Sequence, residues 1–375
     1  MATTPKVILA LSGGVDSAVA AWLLREQGYA VECLHMSNWE DDDGYCTAAE
    51  DLQDTRQVCK HLSLTLHQVN FTREYSESVF ADFLDEIRAG RSPNPDVLCN
   101  REIKFGVMRR YAKRLGADIL ATGHYARLEL QDGFPILLKA NDLGKDQSYF
   151  LSAVATEDLE DVMFPLGELP KTEVRKLALE AGLGVARKRD STGICFIGER
   201  PFAEFLEQYI APSPGAIVTL DGDVLGQHLG LHRYTLGQRK GIGVGGVEEH
   251  AETAWYVAEK RMQSNELVVV QGHDHPALFC DWIDTGPMHW IGAQSSLPSS
   301  PLQCMVKTRY RQADQACRLT ITSNSMTRVE FIEPQRSVTP GQFAVFYLGQ
   351  RCLGGARIVQ SGRHDEVDAG MAEAH

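Results

Sequence analysis

The sequence predicts an α/β domain built on a parallel sheet, followed by a small β-rich middle domain and a C-terminal antiparallel β-barrel. Three observations predict it. Short apolar runs alternate with amphipathic helical stretches from Val7 to Gly182, the pattern of a parallel sheet covered by helices on both faces. At Ala211-Pro212-Ser213-Pro214-Gly215 the long helical stretches stop, and Pro/Gly punctuation of this kind marks a boundary. Beyond it, β-like segments recur at 302–308, 315–322, 328–332, 342–348 and 351–359, a spacing that suits a small barrel or sandwich. The expected divisions are 1–211, 212–275 and 276–362, with a fraying acidic tail at 363–375.

The first run, Val7 to Leu11, ends in Ser12-Gly13-Gly14-Val15-Asp16-Ser17, and the following residues present Val19, Trp22 and Leu23 on one helical face. Adjacent glycines permit a tight turn and close ligand approach. Amides at the helix start, with the Ser12 and Ser17 hydroxyls, suit an anion. No Gly-Lys-Ser/Thr follows, so this is not the ATPase P-loop. Val31–Met36 is the second strand, 48–62 a helix, and Leu64–Val69 the third strand. The acid run Glu40-Asp41-Asp42-Asp43 reads as solvated surface. Tyr75, Val79, Phe83 and Ile87 predict a long helix over 72–89. Pro93 and Pro95 exclude a regular helix there, and the helix resumes near Asn100, which places Cys99 at a helix N-terminus. Asp118 to Thr122 is a further strand, ending at Gly123-His124, and 171–182 a further helix.

The formal net charge is −13, which excludes a surface broadly coated with positive charge but permits a local basic cleft. No long apolar segment suits a bilayer, and Met1–Lys6 leads straight into the first strand without room for a secretory signal, so a cytoplasmic protein is expected. Nine cysteines contain no CxxC pair, so zinc-ribbon and thioredoxin-type spacings are absent. Cys99 reads either as an inert buried thiol or as a thiolate favoured by helix amides, with Asp96 as a nearby proton acceptor. Cys195 follows the basic run Arg187-Lys188-Arg189. That run is solvated surface in one reading; in the other it lowers a thiol pKa and attracts phosphate. The segment 232–246 is a phosphate-contacting loop or a surface hairpin, and Lys307–Gln312 is an RNA-contacting stretch or an ordinary exposed strand. His273 and His275 do not make a metal site, and no dedicated metal site is assigned.

Two levels of resemblance follow. The loop Ser12–Ser17 resembles the pyrophosphatase-type loop, SGGxDS, of ATP-dependent adenylating enzymes. Taken with LHMSNW, PNPDVLCN, ATGHYAR, KDQSYFL, DSTGICFIG, HRYTLGQRKG, KTRYRQ and SVTPGQFAVFYLGQRCLGGA, it makes the chain resemble the tRNA-specific 2-thiouridylase family, the MnmA type, over roughly residues 5 to 360. The resemblance implies an adenine nucleotide alpha hydrolase-like (PP-loop ATPase) first domain. It implies ATP-dependent sulfur insertion at C2 of the wobble uridine of tRNAs for lysine, glutamate and glutamine, with Mg2+ accompanying ATP. By this likeness Ala10, Leu11, Ser12, Gly13, Gly14, Val15, Asp16 and Ser17 line the ATP site with Met36 and Gly123. Asn94, Pro95 and Asp96 meet the target base; Cys99 is the nucleophile-side cysteine and Cys195 the persulfide carrier, the two able to form a disulfide. His124, Lys145, Asp146, Gln147, Tyr310, Arg311 and Gln342 contact tRNA. The sulfur donor is a cysteine desulfurase or a relay protein, and no membrane partner is implied.

Two other classes share parts of this pattern. One is an adenylating enzyme with a small substrate, in which Cys99 and Cys195 are dispensable. The other is a noncatalytic tRNA-binding protein, which releases no AMP.

Overall fold

The computed structural model describes residues 4–39, 48–190, 194, 196–197, 200–244, 253–293, 300–322 and 326–364. The acid run 40–43, Cys195 and most of the tail therefore lie outside the described residues.

The chain opens with β1 (Lys6–Ala10), α1 (Val15–Glu26), β2 (Ala30–Ser37), α2 (Ala48–Leu62), β3 (Thr65–Asn70) and β4 (Ile119–Thr122). After β5 (Ala126–Gln131) and β6 (Phe134–Lys139) comes the short β7 (Val162–Met163). A five-stranded sheet runs in the order β3-β2-β1-β4-β7 with parallel pairings throughout. Val7, Ile8 and Leu9 have no exposed surface. Val7 and Leu9 enter one core with α1, whereas Ile8 enters another with Tyr75, Val79, Phe83 and Ile87. Alternate side chains thus feed two cores, one on each face of the sheet. From β1 the chain moves outward through β2 and β3, then returns to β4 on the opposite side of β1. Such a reversal opens a crevice at the strands' carboxyl ends.

One helical reading holds with a local change and one needs correction. The stretch expected at 72–89 is helical as Thr72–Tyr75, Ser76–Phe80 and Ala81–Arg88, with wider turns in its middle piece. The helix expected near Asn100 starts earlier, at Pro95–Leu98, and continues as Cys99–Met108. Pro95 occupies its first position, where the missing N–H costs nothing, and the Asn94 side-chain oxygen Oδ1 accepts from the Asp96 amide at 3.2 Å. Cys99 consequently sits beyond the first turn, where the helix-end field has largely decayed.

The middle region pairs β8 (Gly215–Val218), β9 (Val224–His228), β10 (Trp255–Arg261) and β11 (Glu266–Gln271) in the order β10-β11-β8-β9. Its own core holds Ile217, Leu231, Val257, Leu267 and Val269. The last region comprises β12 (Phe279–Thr285), β13 (His289–Trp290), β14 (Leu302–Lys307), β15 (Gln315–Ile321), β16 (Thr327–Arg336), β17 (Phe343–Leu348) and β18 (Arg351–Gly362). The path β12-β16-β15-β14-β17-β18 closes through a β12–β18 pairing. Closure leaves no free edge and decides for a barrel over a sandwich. The hairpin β5–β6, which the alternating pattern did not suggest, leaves the first domain and pairs with β18, Leu138 opposite Arg351 and Leu137 opposite Cys352.

Candidate active site at the sheet–barrel seam

The loop after β1 delivers residues 12–17 to the carboxyl edge of the sheet, beside the turn that follows β4. Gly13 has φ +83, and a Cβ there would fall 2.5 Å from the Asp51 carbonyl oxygen of α2. Gly14 differs: its φ is −89, and a Cβ would meet only the Ser12 hydroxyl, at 3.5 Å. It occupies the N-cap of α1 and carries no side chain to take up the first-turn amides. Gly123 backs the same helix start, where a Cβ would lie 2.8 Å from the Ser17 amide nitrogen. This glycine-walled start of a helix fits an anion such as a phosphate. The hydroxyls are used differently from expectation. Ser17 Oγ accepts from the Ser12 amide at 3.1 Å and donates to the Gly14 carbonyl at 3.2 Å, so it shapes the loop from within. Met36 lies at the carboxyl end of the neighbouring β2.

Asp16 is tied to distant residues. Its carboxylate accepts from the Tyr125 hydroxyl at 2.7 Å and from Lys171 Nζ at 2.6 and 2.7 Å. Lys171 also meets Asp190 at 2.8 Å, and Asp190 takes Lys145 at 2.8 Å and Arg175 at 2.7 Å. Partial burial opposes ionisation of Asp190, but the Lys145 and Lys171 ammoniums outweigh it and hold the carboxyl at about 2. Lys188, the middle member of the basic run, turns onto Asp51 (2.7 Å) and Asp54 (2.5 Å) and donates to the Gly13 carbonyl at 3.3 Å. Arg187 and Arg189 on either side of it are exposed.

A separate segment carries Asn94, Pro95, Asp96 and Cys99. Cys99 is buried. Burial raises the Asp96 carboxyl above its ordinary value, opposed by the Lys104 charge. Burial, reinforced by Lys104, pushes His124 well below its ordinary value, which keeps the imidazole neutral. The His124 ring sits 5.8 Å from that of Phe105, and its Nδ1 lies 2.7 Å from the Thr122 hydroxyl. Lys104 thus faces both predicted residues from the helix that bears Cys99, and sequence reading passed over it. Its signal was spacing, five positions after Cys99, in a region read for its apolar face only. Phe196, adjacent in sequence to Cys195, is buried against Tyr75, Phe80 and Phe83.

The residues expected to meet tRNA divide by placement. Asp146 faces inward, accepting from the Ala140 amide (3.0 Å) and the Ser148 hydroxyl (2.8 Å). Gln147 pairs with the Tyr125 backbone in both directions, at 3.0 and 2.7 Å. Gln342 reaches from the barrel to the carbonyls of Ser92 (2.7 Å) and Pro93 (3.3 Å), beside which Ser92 donates its amide to Pro340 at 2.9 Å. The Tyr310 ring lies tilted at 42° and 4.4 Å from that of Phe150, and its hydroxyl meets the Lys145 carbonyl at 3.5 Å. Arg311, its neighbour, is exposed. From the middle region, Lys260 donates to the Gly90 carbonyl at 3.0 Å. All three regions therefore grip the approach to Asn94.

Among known proteins, the model described as tRNA methyl transferase HUP domain matches residues 5–199. Models described as tRNA methyl transferase PRC-barrel domain and aminomethyltransferase beta-barrel domain match 203–271 and 281–358. The chain is 53% identical over 366 residues to the tRNA-specific 2-thiouridylase MnmA of Chromohalobacter salexigens, covering 97% of this chain and 95% of that protein. It is likewise 53% identical to the tRNA-specific 2-thiouridylase MnmA of Citrobacter koseri, over 96% of this chain and 98% of that one. A solved 4-thiouridine synthetase–RNA complex with bound ATP is similar at 23% identity and TM-score 0.36, over 54% of this chain and 50% of that one.

Proposed function

The chain belongs to the tRNA-specific 2-thiouridylase family, and from that premise we propose that it replaces the C2 oxygen of the wobble uridine with sulfur in tRNAs for lysine, glutamate and glutamine. The observation that carries the reading is a convergence. In a chain that aligns with its relatives nearly end to end, Gly123 packs against Asp16 and Ser17 of the Ser12–Ser17 loop, and Lys104, on the helix that bears Cys99, faces both His124 and Asp96.

A C2 oxygen is a poor leaving group, and ATP supplies the adenylyl unit with which it departs as AMP. Residues 12–17 hold the phosphates, Met36 and Gly123 border the adenosine, and Mg2+ accompanies the nucleotide. Positioning contributes much of the acceleration, because base, nucleotide and sulfur must share one pocket. An anticodon-loop base is cheap to extrude, and Asn94, Pro95 and Asp96 receive it. Asp96, raised by burial, exchanges a proton with the base or with Cys99. Cys195 carries the persulfide. As the C2–S bond forms, the persulfide S–S bond breaks; the Cys99 thiolate supplies the electron pair by joining Cys195 in a disulfide, which an external thiol later reduces. Arg311 contacts RNA phosphate, and residues 276–362 present it. A cysteine desulfurase or a relay protein delivers the sulfur.

The test is mass analysis of nucleosides from unmodified lysine tRNA after incubation with the protein, Mg-ATP and a persulfide donor. Sulfur gained at the wobble uridine only with ATP is the expected result. Tight tRNA binding without AMP release, even with the native donor, would replace this reading with that of a binding protein.

A further inference from the structure

Lys171 lies outside every motif used above, yet it is one of the few buried lysines among the described residues, with 8% of its surface exposed. A buried ammonium persists only when its charge and donors are matched. Its ammonium meets both carboxylate oxygens of Asp16 and one of Asp190, and lies 5.6 Å from the centre of the Tyr125 ring. Asp16 occupies the first turn of α1, beside the seat for phosphate. An uncompensated carboxylate there would repel a polyanion at short range. The Lys171 ammonium cancels that charge, and with the Tyr125 hydroxyl it holds the carboxylate in one orientation. Asp190, itself gripped by Lys145 and Arg175, keeps Lys171 in place from the other side.

We propose that Lys171 is a positioning residue of the nucleotide loop, acting through Asp16: it neutralises and orients that carboxylate so that the start of α1 accepts the ATP phosphates. The inference rests on the ATP reading of the loop and extends it to a residue 155 positions away. It makes Lys171 an affinity determinant for ATP with no part in sulfur transfer.

Isothermal titration of MgATP into the full-length protein tests it, alongside steady-state thiolation. Lys171→Met should weaken MgATP binding about tenfold or more, raising KM for ATP while KM for tRNA holds. Lys171→Arg should restore most of the affinity. The decisive variant is the double one, because charges that act through each other are not additive. Asp16→Asn with Lys171→Met should bind MgATP as well as Asp16→Asn alone, since no carboxylate is left to neutralise. This neutral pair also serves if Lys171→Met alone fails to fold. Unchanged MgATP binding by Lys171→Met, or a further loss in the double variant beyond Asp16→Asn, would overturn the proposal. A wild-type protein that binds no MgATP would instead sink the nucleotide reading on which it rests.

Discussion

On the sheet side of the seam, charged side chains are tied to one another across long stretches of chain. Asp16 meets Lys171, Lys171 meets Asp190, and Asp190 meets Lys145 and Arg175. On the barrel side, two residues that reach the site loops bond to main chain: Gln342 to the carbonyls of Ser92 and Pro93, and Tyr310 to that of Lys145. The first arrangement sets where charge sits. The second sets where the backbone runs, regardless of which side chains the loop carries. Substitutions on the two sides should therefore fail differently, chemistry and nucleotide binding on one, geometry and RNA docking on the other.

The largest expected effect tests the sheet side. Cys99→Ser should lower thiolation by about three orders of magnitude, as loss of an activated thiol does, while MgATP binding and the thermal midpoint stay near wild type. Single-turnover assays with preloaded persulfide read it; a residual rate within a few-fold of wild type would remove Cys99 from the reaction.

Next comes a contrast inside the loop. Gly13→Ala must adopt φ +83 and place its Cβ 2.5 Å from a backbone oxygen of α2, so a cost of about 2–4 kcal/mol in urea unfolding is expected. Gly14→Ala has an allowed φ and ordinary contact with Ser12. It should cost under about 1 kcal/mol yet weaken ATP binding, because the new methyl occupies the mouth of the anion seat. Equal destabilisation by both would mean that the two glycines share one structural duty.

The barrel side offers a smaller contrast. Gln342→Ala removes side-chain bonds that hold the approach to Asn94, at about 1 kcal/mol of stability. Thiolation should fall several-fold with the salt dependence of tRNA binding intact. Arg311→Ala should leave stability alone and reduce the salt slope of tRNA binding by about one. Filter binding across a salt series separates them, and a reduced slope for Gln342→Ala would make it an RNA contact after all.

Much of this was legible locally. A buried β1 feeding two cores, a small-residue turn and a helix start are all consequences of residues 7–24, and barrel strands announce themselves by alternation, as Cys317 and Leu319 buried between exposed Ala316 and Arg318 show. Pro95 misled because a proline breaks a helix interior but begins a helix well. The β5–β6 hairpin did carry a signal, Asp132-Gly133 between alternating runs, with φ +53 and +83 as a tight hairpin turn requires. Its pairing with β18, however, joins residues some two hundred positions apart, and no local pattern encodes that. The Lys171 network is of the same kind: neither lysine nor aspartate is unusual in its own neighbourhood, and only the fold brings them together.

The smallest effect probes the far end of that network. Asp190 titrates at about 2 against an ordinary 3.8. A carboxyl whose folded value is depressed stabilises the native state above its unfolded pKa, and that stability is lost as pH falls through the folded value. The window here is pH 4 down to pH 2, where the unfolded chain binds the proton first. Linkage sets a ceiling of about 2 kcal/mol; with nearly a third of the side chain exposed, screening reduces this to about 1 kcal/mol. Asp190→Asn should therefore cost about 1 kcal/mol at pH 5, and wild type and variant should converge as the pH approaches 2. Urea midpoints taken at pH 5, 4 and 3 would show it. A difference that stayed constant across that range would mean that Asp190 holds Lys171 through shape rather than charge, and the sheet side of the seam would then resemble the barrel side more than the ion network implies.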